Sequence, residues 1–113
     1  MFNLPYSHTC IISYMEAFID EESQSLCLVM EFANDGDLLQ KIDRADKSGE
    51  LVDEDTVIWP TFISVVKALN KLHKMNIFHR DLKSANVFLY RDGSAKLGDL
   101  NVSKVAQKGL LYT

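Results

Sequence analysis

At 113 residues, 47% apolar and 25% charged, the chain has the size and composition of one soluble globular domain, which excludes a fibrous or broadly disordered polymer. Twelve Lys and Arg against sixteen Asp and Glu leave a net charge of −4, the wrong sign for a dedicated nucleic-acid binder. Two cysteines (Cys10, Cys27) and three scattered histidines (His8, His73, His79) without any CxxC exclude a disulfide framework and a zinc set.

The first third reads as strand. Cys10-Ile11-Ile12-Ser13-Tyr14 and Ser25 to Phe32 are apolar runs rich in β formers, separated by the charged turn Asp20-Glu21-Glu22-Ser23. From Gly36 the pattern changes. Asp37-Leu38-Leu39-Gln40-Lys41-Ile42 suits the opening of a short helix that Lys47-Ser48-Gly49 ends. A longer helix is predicted from Asp53-Glu54-Asp55, acids that suit the positive end of a helix dipole. Its apolar stripe, Ile58, Phe62, Val65, Leu69 and Leu72, advances by four, three, four and three residues and predicts one buried face. Pro60 is tolerated there only if it falls in the first turn. After Met75 the chain is polar and loop-like until Val87-Phe88-Leu89-Tyr90, and Asp92-Gly93 predicts a tight turn into Ala95-Lys96-Leu97. The order strand, strand, helix, helix, loop, hairpin is that of an α+β fold. No run approaches eighteen apolar residues, so no membrane contact is expected. The first residues lack the order of a signal peptide, and the expected compartment is the cytoplasm, with nucleus and cytoskeleton as alternatives.

The chemistry-bearing segment runs from His79 to Asp99. It holds His79-Arg80-Asp81-Leu82-Lys83-Ser84-Ala85-Asn86, with Asp99-Leu100-Asn101 following the hairpin. Phosphoryl transfer needs an oriented hydroxyl, oxygen ligands for magnesium, and a cation against the charge of the moving phosphate. Asp81 supplies a carboxylate for the hydroxyl proton and Lys83 a cation beside it. Asn86 offers a neutral oxygen and Asp99 a charged one for the metal. Each feature alone has a bland reading, as a solvated loop or a turn cap; the joint spacing is what carries weight.

That spacing resembles the protein-kinase catalytic loop H-R-D-L-x-x-x-N followed by a divergent D-F-G. Ile77 to Leu89, together with Asp35-Gly36-Asp37-Leu38 and Leu97-Gly98-Asp99-Leu100, is most similar to the NIMA-related (NEK) branch of serine/threonine kinases. The resemblance implies a two-lobe kinase-like fold, represented by the end of the small lobe and the first half of the large lobe. Residues 1–32 would be small-lobe strands and the hinge start, and residues 33–113 the hinge, large-lobe helices, catalytic loop and start of the activation segment. It implies ATP and Mg2+ as cofactors and, as partner, a protein substrate carrying Ser or Thr. It implies Asp81 and Lys83 as catalytic, Asn86 and Asp99 as metal ligands, and Arg80 as a regulatory residue meeting a phosphate on the activation segment. Met30 would be the gatekeeper, the Glu31 carbonyl and Ala33 N–H would bind adenine, Asp37 the ribose, and Phe88 would floor the base. His79 would pack and not act as a base.

Two departures shape the expectation. No G-x-G-x-x-G precedes Cys10 and the first lysine is Lys41, so the residues that hold the triphosphate from above are absent, and the 113 residues alone are expected to be inactive. Asn101 stands where glycine is usual, although asparagine tolerates left-handed angles. A pseudokinase or scaffold module is the alternative, countered by the presence of Asp81, Lys83, Asn86 and Asp99. A calcium loop around Asp46-Lys47-Ser48-Gly49 is disfavoured, because Arg44 would occupy its first ligand position.

Overall fold

The run of acids after β1 (Tyr14–Asp20) turns the chain back into β2 (Ser25–Met30), with the Asp20 carboxylate accepting from the Ser23 hydroxyl at 2.6 Å and the Glu22 N–H at 3.3 Å. The strands are antiparallel, Phe18 opposite Cys27, with an irregularity between Tyr14 and Glu16. In the computed structural model, which describes residues 9–98, α1 spans Leu38–Ser48. A π-helical turn (Glu54–Ile58) leads into α2 (Trp59–Lys74), and a 3-10 turn (Ser84–Asn86) leads into β3 (Val87–Leu89) and β4 (Ala95–Leu97). The result is α+β, as the element order predicts.

The helix ends follow from local chemistry. Asp37 caps α1 by accepting from the Gln40 N–H, and the Gln40 side chain accepts in return from the Asp37 N–H, a reciprocal box that satisfies two orphan donors. Gly49 closes α1 at φ +72°, an angle that suits glycine. Pro60 lies within the first two positions of α2. The wide turn before it bonds Ile58 and Trp59 to carbonyls five residues back; this relieves the clash a proline ring makes with the carbonyl four residues earlier.

The core lies between α2 and the β3–β4 hairpin. Ala68 and Leu72, one turn apart, are fully buried against Val87, Leu89, Ala95 and Leu97, with Cys10 and Ile11 completing the cluster. Alternation puts Phe88 and Lys96, which are opposite each other in the hairpin, on its other face.

Three expectations need correction. The Cys10–Tyr14 run is not a strand of the first sheet: only Tyr14 belongs to β1. Cys10, Ile11 and Ile12 are consecutive and all buried, which a strand with one wet face cannot be, and they cross to β4 through Ile12 N–H to Leu97 O and Leu97 N–H to Cys10 O. The second run ends at Met30 and not Phe32: the Glu31 N–H still bonds the Ser13 carbonyl beside the last pair, Tyr14 and Met30, but Phe32 turns outward, 85% exposed. In the stripe of α2, Leu72 is buried and Val65 and Leu69 pack on the core, but Ile58 and Phe62 are exposed. Ile58 sits in the π turn, where the 3.6-residue period is broken, and the buried face runs instead through Thr61 and Ala68. Ile58 and Phe62 line an apolar groove with Leu38 and Leu82. Among the described residues no helix is long and apolar enough to cross a membrane, and Asp46–Ser48 belong to α1, so no calcium loop forms there.

Candidate active site

The loop between α2 and β3 has two left-handed non-glycine residues. Asn76 at φ +59° ends α2, where asparagine is a favoured substitute for glycine. Arg80 at φ +69° is less usual, costing on the order of 1–2 kcal/mol, and its exposed side chain points away from the core. His79, 3% exposed, holds this turn. Its Nδ1 accepts from the Asp81 N–H at 3.1 Å and its Nε2 lies 2.6 Å from the Gly98 carbonyl. Since Nδ1 accepts, Nε2 carries the hydrogen and donates, and the ring is a strut between the loop that carries Asp81 and the strand end that precedes Asp99.

Asp81, Lys83 and Asn86 are brought together. Lys83 Nζ lies 3.6 Å from Asp81 Oδ2, both groups about half exposed, so the pair adds little stability. Asn86 is buried; its Nδ2 donates to the Asp81 carbonyl at 2.8 Å and to Asp81 Oδ2 at 3.3 Å. The amide nitrogen being committed to Asp81, Asn86 Oδ1 remains as an acceptor. The Gly98 N–H also donates to the Asn86 carbonyl at 2.9 Å. Asp99, Leu100, Asn101 and Thr113 lie outside the described residues. Among the described residues no three His, Cys, Asp or Glu side chains converge on a metal position. A magnesium ion is commonly held by one or two carboxylates and substrate phosphates, and a donor set of one amide oxygen and the Asp99 carboxylate fits that chemistry.

The remaining candidates line a second feature, a cavity of about 370 Å³, within the range of roughly 300–1,000 Å³ typical of small-molecule sites. Met30, Glu31, Ala33 and Asp37 border it, with Ile12 and Phe88 among its apolar walls. The Glu31 carbonyl and the Ala33 N–H have no backbone partner among the described residues, which leaves one acceptor and one donor on adjacent backbone for a planar ligand. The segment is anchored on the far side: Asp35 N–H donates to Leu89 O, Leu89 N–H to Gly36 O, and Arg91 N–H to Asn34 Oδ1. Asp37 serves the helix cap through Oδ1, leaving Oδ2 for a ligand hydroxyl.

Behind this edge the Glu31 carboxylate accepts from Lys96 Nζ at 2.8 and 3.0 Å and from the Ser13 N–H at 2.8 Å. Burial pushes its pKa up, but the Lys96 ammonium, the Ser13 N–H and the neighbouring Tyr90 hydroxyl outweigh burial and hold it below the usual glutamate value. The Tyr90 hydroxyl is buried without a well-formed hydrogen bond among the described residues; burial first, then the Glu31 and Asp92 charges, raises its pKa.

Gly98 joins the two features. A Cβ there would lie 2.5 Å from Phe88 Cε2, 2.9 Å from Cδ2 and 3.3 Å from Ile12 Cγ1. The backbone before Asp99 can pass the cavity wall only because it carries no side chain. Gly98 has no assigned role in the motif itself, although a glycine closing a strand is a signal of close approach.

A loop that groups Asp81, Lys83 and Asn86, tied to a glycine-terminated hairpin beside a cavity with a free backbone donor and acceptor, agrees with the family comparison. The family model described as Protein kinase domain matches residues 2–113. The chain belongs to the protein kinase domain family. Its similarity to the NIMA-related branch is equally direct. It is 39% identical over 99 residues to the mouse (Mus musculus) serine/threonine-protein kinase Nek1, covering 87% of this chain and 8% of that protein. It is 37% identical over 106 residues to mouse serine/threonine-protein kinase Nek3, covering 93% of this chain and 20% of that one. It is 35% identical over 106 residues to a probable serine/threonine-protein kinase nek2 of Dictyostelium discoideum, covering 91% and 25%. This kinase-domain chain thus spans a quarter or less of the length of these relatives.

Proposed function

We propose that the protein transfers the γ-phosphate of ATP to serine or threonine hydroxyls of protein substrates. The observation that carries this reading is the grouping of Asp81, Lys83 and Asn86 on a loop that His79 and Gly98 join to the cavity. In the proposed reaction the adenine lies between Ile12 and Phe88, its edge read by the Glu31 carbonyl and the Ala33 N–H, and the ribose meets Asp37. Asp81 orients the substrate hydroxyl and takes its proton, and Lys83 sets a positive charge beside the transferred phosphate. Asn86 Oδ1 and Asp99 would hold magnesium, which offsets phosphate charge when bound. Arg80, exposed and held in a strained turn, would meet a phosphate on the segment after Asp99.

The test is Asp81→Asn in the full protein. Phosphate transfer is expected to fall by about 10²–10⁴-fold, the usual contribution of a positioned general base, while ADP affinity stays within about twofold of wild type. Unchanged transfer would overturn the assignment. Replacing Asp99 by Ala tests the metal ligand, with loss of transfer expected.

A further inference from the structure

Lys96 and Glu31 are far apart in sequence, on β4 and just after β2, yet their side chains meet in two contacts of 2.8 and 3.0 Å. They are only 22% and 18% exposed. Bringing two charges this far out of water costs desolvation that their attraction only roughly offsets, so net stability is a weak explanation for the pair. Its position supplies a better one. Lys96 is the hairpin partner of Phe88, and opposed residues of an antiparallel pair project from the same face. Phe88 walls the cavity, so the Lys96 stem runs alongside this wall and its ammonium reaches the hinge. There Glu31 is gripped a second time: its N–H donates to Ser13 O at 2.9 Å and its carboxylate accepts from Ser13 N–H. Lys96 is itself steadied by the Tyr90 ring, whose centroid lies 5.2 Å from Nζ, a separation at which the ring face attracts a cation.

We infer that Lys96 is a positioning residue for nucleotide binding: through the Glu31 carboxylate it fixes the free carbonyl and N–H of the hinge at a set distance from Phe88. The inference rests on the proposed reading of the cavity as the adenine site. The charge acts through the protein and not on the phosphates, so its loss weakens the recognition of the base itself.

The experiment measures equilibrium binding of adenosine and of ADP to the full protein, for wild type, Lys96→Met, Lys96→Arg, Glu31→Gln and the Lys96→Met/Glu31→Gln double variant. Lys96→Met is expected to weaken adenosine and ADP alike by about tenfold, a mid-range coupling between contacting groups. Lys96→Arg restores most of the affinity, and the double variant is no weaker than the worse single variant. Glu31→Gln, which keeps the shape of the side chain and its bond to Ser13, carries the same expectation if Lys96→Met does not fold. Wild-type affinity in both single variants, with wild type binding adenosine, overturns the positioning role alone. Loss confined to ADP also overturns it, since the lysine then acts on phosphate. Wild-type protein that binds neither ligand overturns the adenine reading and the positioning role with it.

Discussion

Gly98→Ala is the sharpest probe of how the Asp81 loop and the cavity are joined. Gly98 is not among the residues with positive φ, so alanine meets no backbone penalty and the cost is wholly steric. The new methyl would sit 2.5 Å from Phe88 Cε2, against an ordinary carbon–carbon contact of about 3.5–4.0 Å. The ring or the strand end must therefore shift by roughly 1 Å. The same methyl would lie 3.3 Å from Ile12 Cγ1, and Ile12 and Phe88 both line the cavity, so yielding by either side chain reshapes the cavity wall. Overpacking of this kind costs about 1–3 kcal/mol. If most of it is spent displacing the wall, adenosine affinity falls by roughly 5- to 150-fold, at 1.4 kcal/mol per factor of ten. The assay is calorimetric titration of the full protein with adenosine, paired with a thermal melt. Adding Phe88→Leu, which removes the clashing ring atoms, should return part of the melting temperature, and the two substitutions should be non-additive. A Gly98→Ala protein with wild-type affinity and melting temperature would refute the close-approach argument.

Four further outcomes are expected. The Glu31 pKa lies below its ordinary value, so the stability it contributes is fully present above the unfolded glutamate value, about 4.3, and is lost as pH falls through the folded value; urea unfolding across that interval should show a shallower acid decline in Glu31→Gln. Gly49→Ala should cost about 1 kcal/mol, since φ is +72° and no atom lies within 4 Å of the added methyl, and Gly49→Asn should cost less by the same denaturant midpoint. Asp37→Ala should lose about 1 kcal/mol of cap energy as well as ribose affinity, whereas Asp37→Ser should keep the cap and lose only the affinity; denaturation and adenosine-versus-adenine binding separate the two. The 113 residues expressed alone should show no ATP turnover in a phosphate-release assay, because no lysine precedes Lys41 to hold the triphosphate from above.

Local rules were legible in the sequence wherever the decisive partners are neighbours. Asp37 and Gly49 bound α1, Asp53 caps the π turn that leads into α2 by accepting from the Thr56 N–H, and Asp92-Gly93 makes the hairpin turn. The grouping of Asp81, Lys83 and Asn86 was readable for the same reason, since they lie within six residues. What escaped depends on contacts between distant segments. Nothing near Lys96 signals Glu31, nor does anything near Cys10 signal Leu97. The predicted stripe failed at Ile58 and Phe62 because a proline-driven π turn shifts the angular phase of the helix, which a fixed period cannot register.

The pairing of Ile11 with Leu97 also sets a timetable. The two residues close a loop of about 86 residues, for which chain entropy alone costs roughly 4 kcal/mol, while the β1–β2 and β3–β4 hairpins close over short turns. The local hairpins and helices therefore form first, and the docking of Cys10–Ile12 onto β4 is a late step that speeds folding little and slows unfolding. During synthesis at about 5–20 residues per second, this apolar tripeptide leaves the ribosome roughly 4–17 s before its partner strand exists. Through that interval Cys10, Ile11 and Ile12, buried in the folded chain, have no partner strand to bury them.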